Sequence, residues 1–112
     1  MTIYVDDYRV PYRGRRICHM IADTEAELHA MAARLGISKR WFHRDHYDVT
    51  EEQREAAAAL GAVPIPARVC ATMATHRRRT GRLPAPEEVP AIQAARAAAI
   101  RARLRARDPA AP

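Results

Sequence analysis

Large side chains are scarce in this chain of 112 residues, with one Trp, one Phe and four Tyr. Much of its apolar content is Ala, which buries little area, so a small core and moderate stability are expected. Only two cysteines occur, Cys18 and Cys70. That excludes a disulfide scaffold. Their apolar neighbours suit buried, reduced thiols, with Cys18 beside His19 as the one redox or catalytic alternative. No apolar run approaches ~20 residues, which excludes a membrane-spanning helix. The chain starts directly in a strand-like TIYVDD without a signal-peptide pattern, so a cytoplasmic location is expected. Neither HExxH nor CxxC spacing is present, so no standard zinc motif applies.

Lysine is nearly missing too, and the basic charge is carried by arginine. Residues 1–66 hold nine basic and ten acidic side chains, whereas residues 67–112 hold ten Arg and three acids. Such a field attracts polyanions. Arg77, Arg78, Arg79 and Arg82 form the compact patch expected to meet nucleic acid. Arg96, Arg101, Arg103, Arg105 and Arg107 line the last helix. A solvated Arg-rich helix is the plainer reading of these charges. Little aromatic interleaving accompanies them, so sequence-specific or single-strand reading has no support at this level.

The order of elements follows from periodicity and punctuation. Thr2 to Val5 reads as a strand ending in Asp6 and Asp7. Tyr8 to Arg16, with Pro11 and Gly14, reads as a loop or hairpin connection. In Ile17 to Ala22, alternation sets Ile17, His19 and Ile21 on one face and Cys18, Met20 and Ala22 on the other. Thr24-x-x-Glu27 is a capping box, Leu28, Met31, Ala32 and Leu35 form the stripe of the helix it opens, and Gly36 stops that helix. A third strand is expected from Arg40 to Phe42, a turn at His43 to Asp45, and an extended piece at His46 to Val49. Thr50-x-x-Gln53 is a second capping box, opening a helix that runs to Leu60 and stops at Gly61. Ala62 to Pro66 reads as a sheet edge, since its prolines remove ladder bonds. A third helix covers about residues 67–79, and Gly81 ends it. Residues 83–86 read as a linker to a helix over about residues 88–107 with a thin apolar stripe, and residues 108–112 should fray. Strands alternating with helices predict an α/β or α+β fold, a small sheet covered by helices with a projecting basic C-terminal helix. Residues 1–82 are the expected compact domain, and 83–112 the Pro-containing linker and helix.

Four of the five histidines lie between His19 and His46, beside several carboxylates. Asp6, Asp7, His19, Asp23, His29 and His46 are candidate ligands for Zn, Mn or Fe, since carboxylate and imidazole suit these ions. His19, His46 and Asp48 are the candidate catalytic groups. Plainer readings stand beside these. Asp23 and Asp48 can support the caps Thr24 and Thr50. His29 can be a hydrogen-bonded histidine at a helix edge. Asp6-Asp7 can be turn chemistry. His19, between Ile17 and Ile21 on one strand face, is the hardest to explain without partners.

These residues resemble a bacterial and phage family of small proteins known only as a domain of unknown function. The matching elements are YVDD (Tyr4 to Asp7), H-x-x-ADT-x-x-ELH (His19 to His29), the Gly36 stop, Trp41-Phe42, HYDVT (His46 to Thr50) and R-x-x-A…GA (Arg54, Ala57, Gly61, Ala62). The likeness covers about residues 2–75 and leaves out the basic tail. It implies that Asp6, Asp7, His19, Asp23, His29, His46 and Asp48 act as a set, and it implies no activity. Two functions compete. One is a divalent-metal-dependent hydrolase or phosphoesterase, acting on a phosphate-containing small molecule or nucleic acid. The other is a non-catalytic module that binds nucleic acid or protein through the basic helix. A homodimer formed through that helix is a third possibility.

Overall fold

The computed structural model describes residues 2–108 and 110. Six strands form one sheet: β1 (Ile3–Val5), β2 (Val10–Tyr12), β3 (Arg15–Ala22), β4 (Phe42–His43), β5 (His46–Thr50) and β6 (Val63–Pro64). The helices are α1 (Glu25–Arg34), α2 (Glu51–Ala59), α3 (Ala67–Thr80) and α4 (Val89–Arg107). The sheet order is β4-β5-β3-β1-β6, with β2 pairing β3 as a hairpin. The β1–β6 pair is parallel, and the other pairs are antiparallel. This is the mixed α/β sheet with helical cover that the strand and helix pattern predicts.

Alternation along β3 divides the core. Cys18, Met20 and Ala22 join Tyr47, Val49, Leu28, Met31, Ala32 and Ala57 beneath α1 and α2. Ile21 turns the other way, into a second cluster with Tyr4, Ile65, Cys70, Met73, Leu83 and Val89 beneath α3 and the start of α4. Full burial of a Leu, Ile or Met is worth roughly 1.5–3 kcal/mol, so these two small clusters supply most of the cohesion. The first is built from both helix faces that the capping boxes open. Thr50 and Gln53 form the complete reciprocal box. At α1 the box is partial. Thr24 Oγ1 accepts from the Glu27 N–H but donates its own proton to the Glu27 carboxylate, at 2.8 Å.

Three expectations change. Of Arg40 to Phe42, only Phe42 is in a strand. Ser38 caps a 3-10 turn at Lys39–Trp41, and only Phe42–His43 pairs with β5. The connection at residues 83–86 is packed, because Leu83 and Pro84 are buried. Helix α4 projects only in its distal part. Val89 is buried and Gln93 Nε2 donates to Thr72 Oγ1 at 3.2 Å, whereas Ile100 and Leu104 are exposed. A 19-residue helix is about 28 Å long, and its overhang accounts for much of the 57 Å long axis, against 32 and 22 Å across. The expected fraying at the C-terminus falls in part on residues 109, 111 and 112, outside the described residues.

Candidate metal centre

Register brings the site together. His19 on β3 stands opposite Asp48 on β5, and His43 opposite His46 across the β4–β5 hairpin. Just past the end of β1, the Asp6 N–H donates to the His19 carbonyl at 2.9 Å, which continues the β1–β3 ladder by one residue. Because side chains alternate, Asp6, His19, His46 and Asp48 share one face of the sheet. That is the face covered by α3, which packs over Tyr4 and Ile21 and leaves the histidine end open.

Each central histidine is held at Nδ1 by its own carboxylate. His19 Nδ1 lies 2.8 Å from Asp6 Oδ2, and His46 Nδ1 lies 3.0 Å from Asp45 Oδ1. A carboxylate can only accept, so in the neutral rings the proton sits on Nδ1 and Nε2 keeps its lone pair. Both Nε2 atoms then turn toward one oxygen, Asp48 Oδ1, at 3.9 Å from His19 and 3.5 Å from His46. His43 Nε2 lies 3.4 Å from Asp48 Oδ2. These separations exceed the 2.7–3.2 Å or so of an N–H···O bond. The 3.4 and 3.5 Å separations are close to the spacing of ligands around an ion, since two donors each about 2.1 Å from a tetrahedral cation lie about 3.4 Å apart, and the His19 separation of 3.9 Å is wider. One donor atom from each of His19, His46 and Asp48 falls within 4.8 Å of the others.

The supporting carboxylates are themselves fixed. Asp6 is buried, accepts N–H bonds from His19 and Tyr8, and has its carbonyl held by the buried Arg54 guanidinium at 2.6 Å. Burial pulls its carboxyl pKa up, but the His19 side-chain bond and the two backbone bonds outweigh that and hold it below the usual range. The same Asp6 bond raises the His19 pKa against the opposing effect of burial, and Asp48 adds to the rise. Asp45 takes two hydrogen bonds from Arg78, at 2.9 and 3.2 Å. Burial raises its carboxyl, and Arg78 and His46 bring it below the ordinary value.

Three of the candidate ligands lie elsewhere. Asp7 caps α3 by accepting from the Ala67 N–H at 2.7 Å. Asp23 accepts from the Thr2 N–H at 2.8 Å and ties down the start of β1. His29 Nε2 meets Glu25 at 3.1 Å, so Nδ1 accepts from the hydroxyl of the fully buried Tyr47 at 2.6 Å. It satisfies a buried phenol rather than joining the cluster. Asp6 reaches the site as the support of His19 rather than beside Asp48.

The chain matches a family model described as Protein of unknown function (DUF4031) over residues 3–77. The chain belongs to this family. No curated protein and no solved structure matches it. The DUF4031 region holds all three converging side chains and both supporting aspartates. Sequence reasoning missed Asp45, which reads as a turn residue, and His43, although both lie in the HRDHYD run. It also took Arg77, Arg78 and Arg82 for a surface patch. Arg77 donates to the carbonyls of Ala22 and Asp45, Arg78 grips Asp45, and Arg82 pairs with Glu88, while Arg79 is exposed. No spacing rule in the sequence points to these long-range partners.

Beside the cluster lies a cavity of about 430 Å³ lined by Tyr8, His19, His46, Cys70, Arg68 and Arg78 among others. Among the described residues, no helix is long and apolar enough to cross a membrane.

Proposed function

We propose that this chain binds one divalent cation through His19 Nε2, His46 Nε2 and the Asp48 carboxylate, and that it hydrolyses phosphoesters there. The observation that carries the reading is the division of labour on each imidazole. Nδ1 is hydrogen-bonded to a carboxylate, while Nε2 stands at ligand spacing from the others. Carboxylate–histidine pairs of this kind orient metal ligands and raise their basicity. A two-His, one-carboxylate set suits Zn, Mn or Fe, and a cation held by three protein ligands polarises a phosphoryl oxygen and acidifies water.

The residues around the centre have separate tasks. Asp6 and Asp45 fix ring orientation. Arg54 and Arg78 fix those aspartates. Arg68, in the adjoining cavity, supplies positive charge for a phosphate. In net terms, hydrolysis adds the oxygen of water to phosphorus and breaks the P–O bond to the leaving alcohol, which takes up one of the water protons.

Elemental analysis of tag-free protein tests the metal, with His19→Ala and His46→Ala alongside. The expected result is close to one divalent cation per chain, lost in both variants, and metal-dependent cleavage of bis(p-nitrophenyl) phosphate. A wild-type protein that takes up no metal after re-addition overturns the reading. The second reading, a binding module, draws on the exposed Arg101, Arg103, Arg105 and Arg107 of distal α4. It requires polyanion binding that disappears when that segment is removed.

A further inference from the structure

We infer that the cleft on the β2 side of the metal centre takes single-stranded nucleic acid, with bases against Tyr12 and Trp41 and phosphates on the arginines around them. This rests on the reading above and names its substrate class.

The chain has only six aromatic Trp, Phe and Tyr residues, and three of them, Tyr8, Tyr12 and Trp41, line one cleft of about 560 Å³. The same cleft is lined by Arg40, His43 and Asp48, so it opens directly on the candidate centre. Trp41 is half-buried against the first core cluster, but core formation does not explain Tyr8 and Tyr12. Every residue of β2 is exposed, Tyr8 is 53% exposed and Tyr12 38%. Leaving the rings of Tyr12 on β2 and of Tyr8 just before it in water, in a protein short of core material, points to a ligand with flat apolar faces.

The charges next to the rings give the rest of that ligand's chemistry. Tyr12 and Trp41 meet edge to face at 6.2 Å. The Arg13 guanidinium lies over Tyr12 at 5.4 Å and that of Arg40 over Trp41 at 5.3 Å. Arg13 and Arg15 line the adjoining groove together with Tyr12, Arg40 and Trp41. Among the described residues, Asp48 is the one carboxylate lining either groove, and it is the residue on which the histidines converge. Rings and guanidinium planes that stack bases, interleaved with cations for phosphates, are the makings of a single-strand site. A duplex keeps its base faces stacked internally and cannot use these rings. The path also continues. Tyr8 and His19 line both this cleft and the one containing Arg68 and Arg78, so a strand lying across both passes the centre.

Trp41 is the chain's only tryptophan, so its fluorescence reports on this cleft alone. The full chain is titrated with oligothymidylate of about 15 nucleotides, with a duplex of the same length, and with heparin as a polyanion lacking bases. Oligothymidylate is expected to quench Trp41, with affinity falling as salt rises, and heparin and duplex are not. Tyr12→Ala, an exposed position, and Arg40→Ala should each weaken binding about fivefold or more, the loss expected for a stacked base. Trp41→Phe, checked for folding by circular dichroism, should retain binding as read by anisotropy of a labelled oligonucleotide. Metal-replete protein whose Trp41 ignores oligothymidylate overturns this inference and leaves the metal reading standing. Quenching by a protein that takes up no metal does the reverse. Equal quenching by heparin, or oligonucleotide binding unchanged in Tyr12→Ala and Arg40→Ala, also overturns it.

Discussion

Asp6 holds the site at a single carboxylate. One oxygen accepts the N–H groups of His19 and Tyr8, and the other takes the His19 ring. Asp6→Asn replaces one acceptor by a donor, which sets two N–H groups against each other where the ring now binds. A cost of about 1–3 kcal/mol in stability is expected, together with a 10–100-fold weaker metal affinity of roughly the size seen when such supports are removed. Urea unfolding and metal titration measure the two separately. In the metal-free protein the pair also sets a pH optimum. His19 is raised, so its contribution is full below about 6.5, the ordinary imidazole value, and is lost as pH rises through its folded value. Asp6 and Asp45 are lowered, so theirs is full above about 3.9 and is lost as pH falls through their folded values. Thermal midpoints of metal-free protein should therefore peak between those limits and fall on both sides, and a midpoint that keeps climbing as pH rises past the ordinary imidazole value would contradict the assignment. Of these features, the sequence displayed the prominence of His19 but not its partner. The sequence puts Asp6 beside Asp7 as an equal, and only the ladder bond from Asp6 to His19 separates the two roles. The buried thiols were readable from their apolar neighbours. Burial raises both Cys18 and Cys70, so neither should react with iodoacetamide at pH 7 until the chain is unfolded.

Among the elements, the helices were legible because their signals are local. Thr50 and Gln53 cap α2, and Gly36, Gly61 and Gly81 end α1, α2 and α3 in the left-handed region. The hairpins were less so, because their turns carry the wrong residues for their geometry. A two-residue loop with positive φ at both positions favours Asn-Gly. Here the β2–β3 loop is Arg13-Gly14, with φ of 48° and 76°, and the β4–β5 loop starts with Arg44 at φ 61°. An L side chain in this region costs on the order of 1 kcal/mol. Such a cost at a loop tip fits an arginine kept for its charge. Arg13→Asn is expected to stabilise the protein by about 0.5–1 kcal/mol and to weaken oligonucleotide binding. The two effects are read by urea unfolding and anisotropy. A destabilised variant would mean that the Arg13–Tyr12 contact matters more than backbone strain. The 3-10 turn at Lys39–Trp41 was hidden for a related reason. Arg-Trp-Phe has strand-like residues, but Ser38 offers the backbone a local alternative by accepting from the Arg40 N–H.

For the whole molecule, the question is where the folding unit ends. Composition breaks at the prolines of residues 83–86, and the family match ends at residue 77. Packing breaks later. Leu83 and Val89 fill the second cluster against Tyr4, Ile21 and Met73. Beyond Gln93 the residues of α4 are almost all exposed. Two truncations separate these boundaries. A chain ending after residue 82 loses both apolar anchors, each worth roughly 1.5–3 kcal/mol, which is a large share of the stability of a small domain. It should unfold or lose most of its cooperativity. A chain ending after residue 96 keeps both anchors and the Gln93–Thr72 bond, and should match the full chain within about 0.5 kcal/mol. The shorter α4 also removes Arg101, Arg103, Arg105 and Arg107. If the β2-side cleft binds single strands, that chain should still quench Trp41 fluorescence with oligothymidylate, at a smaller salt slope. If it keeps its fold and loses all binding, the distal helix rather than the cleft is the nucleic-acid surface.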